Sequence, residues 1–331
     1  MRLRFSSILL FISLTLNADQ FAFSFYNDAF VGTDKYFTNA MSFSWIDDSF
    51  ESDEDVDTRS YDNFTYSIVD ALPLVVLDKT KRHNAGISIS QIAITPADKN
   101  ISTPQYDDIP YAGYLSVDFY IFESDDTSFK EFRIGVGVVG KESGAEFIQR
   151  EVHGIIGAMD PKGWDTQVGT QYILNALFRY GEKSWQEIDA DGIKSDWFNH
   201  YGIQVGNFTT DAFMGTMFRT GYNYPSNFNL HYPYLKEEAS LLQICKKQTG
   251  FGWSLSAGLN GELLAYSYIL DEAKNSGYET DKNIINISVY TGMDLYYNRH
   301  KITYFYQSQS PYTDQQNEIN NFGGLLYSYQ F

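Results

Sequence analysis

Tyr114-Leu115-Ser116-Val117-Asp118-Phe119-Tyr120-Ile121-Phe122 sets large apolar residues at 115, 117, 119 and 121 against Tyr, Ser, Asp and Tyr at 114, 116, 118 and 120. Successive side chains of an extended chain point to opposite faces, so this stretch reads as a strand with two unlike faces. The same period recurs on both sides of it. Phe21, Phe23 and Phe25 oppose Ala22, Ser24 and Tyr26; Phe37, Met41, Phe43 and Trp45 oppose Thr38, Ala40, Ser42 and Ser44; Phe132, Ile134, Val136 and Val138 alternate with Arg133, Gly135 and Gly137.

A two-faced strand suits a soluble sandwich, with its apolar face inward, or a membrane barrel, with that face toward lipid and a polar lumen. Aromatics gather near the segment ends, and the segments run to about 10–13 residues, as interfacial girdles and tilted membrane strands require. The chain also closes on Leu325-Leu326-Tyr327-Ser328-Tyr329-Gln330-Phe331, an alternating stretch with a terminal Phe, like the last strand of outer-membrane barrels. Strands are expected near 20–30, 36–47, 84–95, 112–123, 129–140, 168–182, 196–206, 210–222, 251–270, 283–296, 299–310 and 322–331. Twelve is an even number, as bacterial barrels demand. The expected fold is therefore all-β, a 12-stranded antiparallel transmembrane β-barrel with a short helix in an extracellular loop.

Composition narrows the classes. The 331 residues include 26 Tyr, 25 Phe and 5 Trp, and 42 acidic against 24 basic side chains give a net charge of −18. Such aromatic content excludes a disordered acidic tail. The acidic balance argues against nucleic-acid binding, which needs clustered Lys and Arg. The single Cys245 cannot form an internal disulfide framework. Arg2 and Arg4 followed by an apolar run over 5–16 and by Ala18 read as a signal peptide, 1–18, which leaves 19–331 as the outer-membrane barrel domain. An acidic run at 47–55, read as a solvated loop, precedes a short helix expected at 68–77. The one convincing internal helix is 144–157, where Phe147, Ile148, Val152, Ile155 and Ile156 recur at helical spacing and Gly157 can end it. Gln149 and His153 are four apart, so they share a helix face.

With the N-terminus in the periplasm, barrel topology brings Asn27, Asp28, Thr38, Lys99 and His153 to the extracellular end. Each has a bland reading alone. Asn-Asp forms turns, a lone histidine is usually structural, a strand threonine is filler, and Lys99 is a solvated charge or a handle for phosphate. Together with the motifs around them they carry more weight. Asn27-Asp28, Gly32-Thr33-Asp34-Lys35-Tyr36-Phe37-Thr38-Asn39, Pro110-Tyr111-Ala112-Gly113, the helix Gln149-Arg150-Glu151-Val152-His153-Gly154-Ile155-Ile156-Gly157-Ala158 and Pro161-Lys162-Gly163-Trp164-Asp165-Thr166-Gln167 follow in that order. This series resembles the LpxR-type lipid A deacylases.

The resemblance implies an outer-membrane enzyme that hydrolyses the 3′-linked acyloxyacyl ester of lipid A with the help of Ca²⁺. Its partners would be lipopolysaccharide and the outer membrane, with no nucleic acid, and a monomer is expected. It assigns His153 as general base for water, Asn27, Asp28 and Thr38 to the ester or the cation, and Gln149 to the supporting helix face. Lys99 stands nearest a family lysine at the lipid phosphate, with Asn100 and Lys141 as alternatives. Met159 stands where an acidic residue is expected in some relatives, which leaves Asp160 beside it as a substitute metal ligand with Asp28. The 48–83 connection is also longer than a usual periplasmic turn.

The chemistry is sound on its own terms. Imidazole can deprotonate an attacking water, and a hard cation on oxygen ligands can polarise an ester. No G-x-S-x-G motif supports a serine nucleophile, and nothing in the sequence positions Ser143 as one. The competing readings are a non-catalytic porin or structural barrel, and an outer-membrane phospholipase.

Overall fold

A computed structural model describes residues 20–32, 36–46, 71, 76–78, 81–156, 159–229, 249–316 and 318–331. The signal segment 1–18, the acidic run 47–55, Cys245 and nearly all of the expected helix 68–77 lie outside the described residues. Twelve strands close into one antiparallel barrel, each bonded to its sequence neighbours and the first to the last. They are β1 Gln20–Asn27, β2 Tyr36–Ile46, β3 Arg82–Thr95, β4 Ala112–Ser124, β5 Ser128–Val139, β6 Gln171–Ile188, β7 Ile193–Gly206, β8 Thr209–Tyr222, β9 Phe251–Ser267, β10 Ile285–Tyr297, β11 His300–Gln309 and β12 Asn320–Gln330. Gln20 pairs with Gln330, so both strand termini lie at one end; the opposite end is the distal end.

The alternation sorts the faces as expected. Ser42, Ser44, Ser88, Ser90 and Ser116 are buried toward the lumen, whereas Leu255, Leu259, Leu263, Ile287, Val289 and Ile302 are exposed on the outer wall. A water-soluble monomer rarely shows so continuous an apolar surface, and a lipid-facing belt requires it. No described helix is long and apolar enough to cross a membrane. Strands do the spanning.

Three local details depart from expectation. The hairpin of β6 and β7 extends to Ile188 and Ile193, beyond the expected 182 and 196, because Trp185 and Trp197 continue the cross-strand pairing past a bulge at Lys183/Trp185. The strand expected to reach 270 stops at Ser267 and gives way to a helix, Tyr268–Asn275, which the alternation had hidden. The backbone N–H of Ser267 donates to Asp271 Oδ2 at 2.9 Å, and Tyr268, Ile269, Leu270 and Ala273 are buried. Third, β2 carries a bulge at Thr38: Phe37 pairs with Ile94 and Asn39 with Ala93, so simple alternation breaks there.

The lumen is filled rather than open. After β8 the chain turns inward, and Phe228 packs between Phe129 and Phe198 with ring centroids 4.7 and 6.1 Å away. Asn227 accepts from Arg219, which also grips Asp196 with both arms at 2.7 and 3.1 Å. Asn229 donates to Ser256 and Asp294. Arg179 bonds Glu131 deeper in the lumen. At the distal end Tyr106 packs on Tyr278 at 5.2 Å, tying the 96–111 loop to the segment after the 268–275 helix.

Candidate active site

The expected helix forms over Ala145–Ile156, here α1, and the second helix, Tyr268–Asn275, is α2. α1 lies against β3 and β4. It rests on their outer face. Gln91, on the lipid-facing parity of β3, donates from Nε2 to the Ser143 carbonyl at 2.7 Å. Gly113 is required beneath α1, because a Cβ there would come within 3 Å of Ser143 Oγ and Ala145 Cβ. Ser143 Oγ accepts from the Ala145 N–H at 3.3 Å, satisfying one of the free donors at the start of the helix.

The wall beneath α1 continues toward the first strand as one row. Gly113 pairs with Ala93, and Ala93 with Asn39. Tyr26 pairs with Ala40, so Asn27 and Asn39 are the next residues toward the distal end on neighbouring strands. Asn27 shares the parity of Phe21, Phe23 and Phe25, and so belongs to the outer wall. The 3-10 turn Asp28–Val31 folds over the same wall: Phe30 packs on Phe25 at 5.8 Å, and Phe30 and Val31 cover Gly323 of β12. The row Asn27, Asn39, Ala93 and Gly113 is thus flanked by Asp28–Val31 on one side and α1 on the other.

α1 places Gln149 and His153 one turn apart, both buried. Trp164 donates its indole N–H to Gln149 Oε1 at 2.6 Å. Because an indole only donates, the carbonyl oxygen of Gln149 is fixed toward it, and Nε2 remains buried with no partner among the described residues. His153 Nδ1 meets the Met159 carbonyl at 2.5 Å. A carbonyl only accepts, so Nδ1 carries the proton and Nε2 is the basic nitrogen. Met159 therefore serves through its backbone, whatever its side chain.

Lys99 is buried in the loop that packs against this framework. Its carbonyl accepts from the Lys162 N–H at 2.9 Å and lies 3.5 Å from the Tyr111 hydroxyl. Burial raises the Tyr111 phenol above its ordinary value, which keeps it a neutral donor. The Tyr111 ring packs on Trp164 at 5.2 Å, within a cluster that includes Ala93 and Ala145. The Lys99 loop, the Trp164 turn, α1 and the barrel wall are therefore one packed unit. Asp28 is fully buried at the start of its turn. The side chain of Thr38 lies outside the described part of the structure.

Asp160 follows Met159 directly. It is exposed and ion-paired with Arg150, whose Nε also bonds Glu146 at 3.0 Å. Among the described residues no group of three or more His, Cys, Asp or Glu side chains is arranged for a metal ion.

Two residues enter the site beyond those singled out from sequence. Trp164 orients Gln149. Asn39 is 1% exposed, and neither its amide nitrogen nor its oxygen has a partner among the described residues. Such an orphaned amide is costly in a folded protein and commonly marks a ligand contact.

A family model described as outer membrane protein LpxR matches residues 4–331. Among solved structures, LpxR from Salmonella typhimurium is similar at a TM-score of 0.74 and 15% identity, covering 94% of this chain and 100% of that one. The β domain of the Bordetella autotransporter Brka reaches 0.46 at 9% identity, covering 95% and 99%. No curated protein matches the chain.

Proposed function

As a chain that belongs to the LpxR family of outer-membrane proteins, this protein works from the outer membrane, and we propose that it hydrolyses the 3′-linked acyloxyacyl ester of lipid A. The observation that carries the reading is the His153 contact. With Nδ1–H held by the Met159 carbonyl, Nε2 is the nitrogen that would take a proton from water. The imidazole is then oriented as a general base. It lies over the outer wall, where a membrane lipid can reach it without entering the lumen.

In this mechanism a lipid A molecule enters between α1 and the Asp28–Val31 turn. The Gln149 amide, aligned by Trp164, donates a hydrogen bond to the ester region, and Asn39 supplies a second polar contact from the wall. Water attacks the acyl carbon as His153 Nε2 takes its proton; the alkoxide of the sugar then leaves and regains that proton from the imidazolium. Lys99 counters a lipid phosphate. Tyr111 and Trp164 hold the loop and helix at their spacing and exclude bulk water from beneath them.

The donor set suits the calcium that the family resemblance implies. The Asp28 carboxylate and the amide oxygens of Asn27 and Asn39 are hard ligands, and the unpartnered Asn39 Oδ1 is an orphaned acceptor of the required type. When bound, calcium supplies polarisation of the ester carbonyl. Asp160, held by Arg150, stays outside this set and instead fastens the Met159 segment to α1.

The extracellular location of the distal end belongs to the same proposal. A pore function is disfavoured by the lumen, which the residues around Phe228 and the Arg219–Asp196 pair occupy. Mass spectrometry of lipid A from cells producing wild type or His153→Ala tests the reading. Loss of the 3′ acyloxyacyl group only with wild type is expected. Intact lipid A in both, with folded protein and calcium present, overturns it, and cleavage of glycerophospholipid instead would assign a phospholipase.

A further inference from the structure

The lumen contains an acidic pair that the outer-wall chemistry does not use. Glu262 on β9 points inward and is 4% exposed, and neither carboxylate oxygen has a hydrogen bond among the described residues. Its cross-strand partner on β10 is Asn286, also buried. Asn286 commits its Nδ2 to the Asn283 carbonyl at 3.1 Å, while its Oδ1 has no donor among the described residues. Asp211 on β8 stands diagonally across from Glu262: Asp211 pairs with Leu264 and Phe213 with Glu262, and both acids share the lumen parity. Thr209 Oγ1 donates to Asp211 Oδ2 at 3.2 Å.

Three other buried acids of the lumen have built-in counter-charges. Asp196 has Arg219, Glu131 has Arg179, and Asp294 has Lys301 with the hydroxyls of Ser254 and Thr303. Glu262 is different, for no basic group among the described residues forms an ion pair with it. A desolvated carboxylate beside a second one is strongly disfavoured unless a positive charge joins them. Two carboxylates and an amide oxygen are the hard, flexible donor set that calcium prefers. We propose that Glu262, Asp211 and Asn286 form a divalent-cation site of calcium type inside the barrel, separated by the sheet from the His153 face. The site ties β8, β9 and β10 together at a level where no side-chain ion pair engages Glu262. It is independent of the lipid A reading, since none of these residues lies on the outer wall.

Equilibrium dialysis of radioactive calcium against the folded full-length chain in detergent tests the proposal, with wild type, Glu262→Gln, Asn286→Ala and Asp28→Asn compared. Glu262→Gln is expected to lose one bound calcium per chain that Asp28→Asn retains. Asn286→Ala, which keeps both acids, should weaken that site by about tenfold or more. Should Glu262→Gln fail to fold, as judged by heat-modifiable gel migration, Asn286→Ala decides alone. Calcium binding equal to wild type in the folded variants overturns the site and leaves a proton shared between the two acids as the occupant.

Discussion

The indole N–H of Trp164 donates to Oε1 of Gln149 at 2.6 Å, and that one bond dictates which way the buried glutamine amide faces. It links the turn after α1 back onto α1 itself, one helical turn from His153. Trp164→Phe would keep the ring against Tyr111 while removing the donor. Stability should fall by about 1 kcal/mol, the usual net value of one hydrogen bond. Ester hydrolysis should fall by about tenfold as Gln149 loses its orientation, on the scale that orienting partners have elsewhere. Kinetics on purified lipid A together with denaturant unfolding separates the two effects, and full activity in the phenylalanine variant would refute the orienting role.

His153→Asn should lower hydrolysis by at least about a hundredfold, the scale of lost general-base catalysis, while the barrel still folds. The comparison that matters is with Met159→Leu. Because the Met159 carbonyl, not its thioether, holds His153, that variant should retain most activity. A large loss in Met159→Leu would mean that the side chain has a role of its own.

Asn39→Ala is expected to slow hydrolysis, to raise the half-saturating calcium concentration, and to leave stability unchanged or slightly improved. Its amide has no partner to lose among the described residues, so truncation removes a desolvation penalty without breaking a bond. A strongly destabilised barrel would show instead that Asn39 is structural.

Removing calcium with a chelator should abolish hydrolysis, and added calcium should restore it. Asp160→Asn should leave the half-saturating calcium concentration unchanged, because that carboxylate is engaged by Arg150. Exposed pairs of this type contribute about 0–1 kcal/mol. A raised calcium requirement in Asp160→Asn would return this residue to the metal.

The turn between β4 and β5, at the end that holds the strand termini, contains an acid-sensitive contact. Burial pushes the Asp125 carboxyl up, but Lys81 at 2.8 Å and the N–H groups of Thr127 and Ser128 outweigh it and hold the group well below its ordinary value. A depressed folded value stabilises above the unfolded one and fades as pH falls through the folded one. Asp125→Asn should therefore be less stable than wild type at pH 7, with the gap closing progressively below about pH 4. Urea unfolding across that range checks the sign, and a gap that widens on acidification would contradict it.

The barrel was legible because period-2 patterning runs through long stretches of its strands despite local bulges, and α1 because Phe147, Ile148, Val152, Ile155 and Ile156 recur at helical spacing. α2 was not. Its Tyr268, Ile269 and Leu270 run straight on from the alternation of β9, and eight residues are too few for a helical period to outvote it. The convergence of Asn27 and His153 on one barrel end followed from strand order. Their position on the outer wall was written in parity, since Asn27 is in step with Phe21, Phe23 and Phe25, but a residue at a strand end reads more readily as rim. Asn39 drew no separate notice within its motif because burial without a partner is a property of three-dimensional packing, and the bulge at Thr38 that sets its register leaves no mark in composition.

The outer-wall position of the row from Asn27 to Gly113 also fixes how anything reaches it. A lipid ligand of the proposed site would arrive sideways, by diffusion within a leaflet, so encounter would follow its mole fraction among the surrounding lipids and not its molarity in bulk. Dilution with inert amphiphile at constant total substrate would slow such an enzyme, whereas one fed through an aqueous lumen would be indifferent to it.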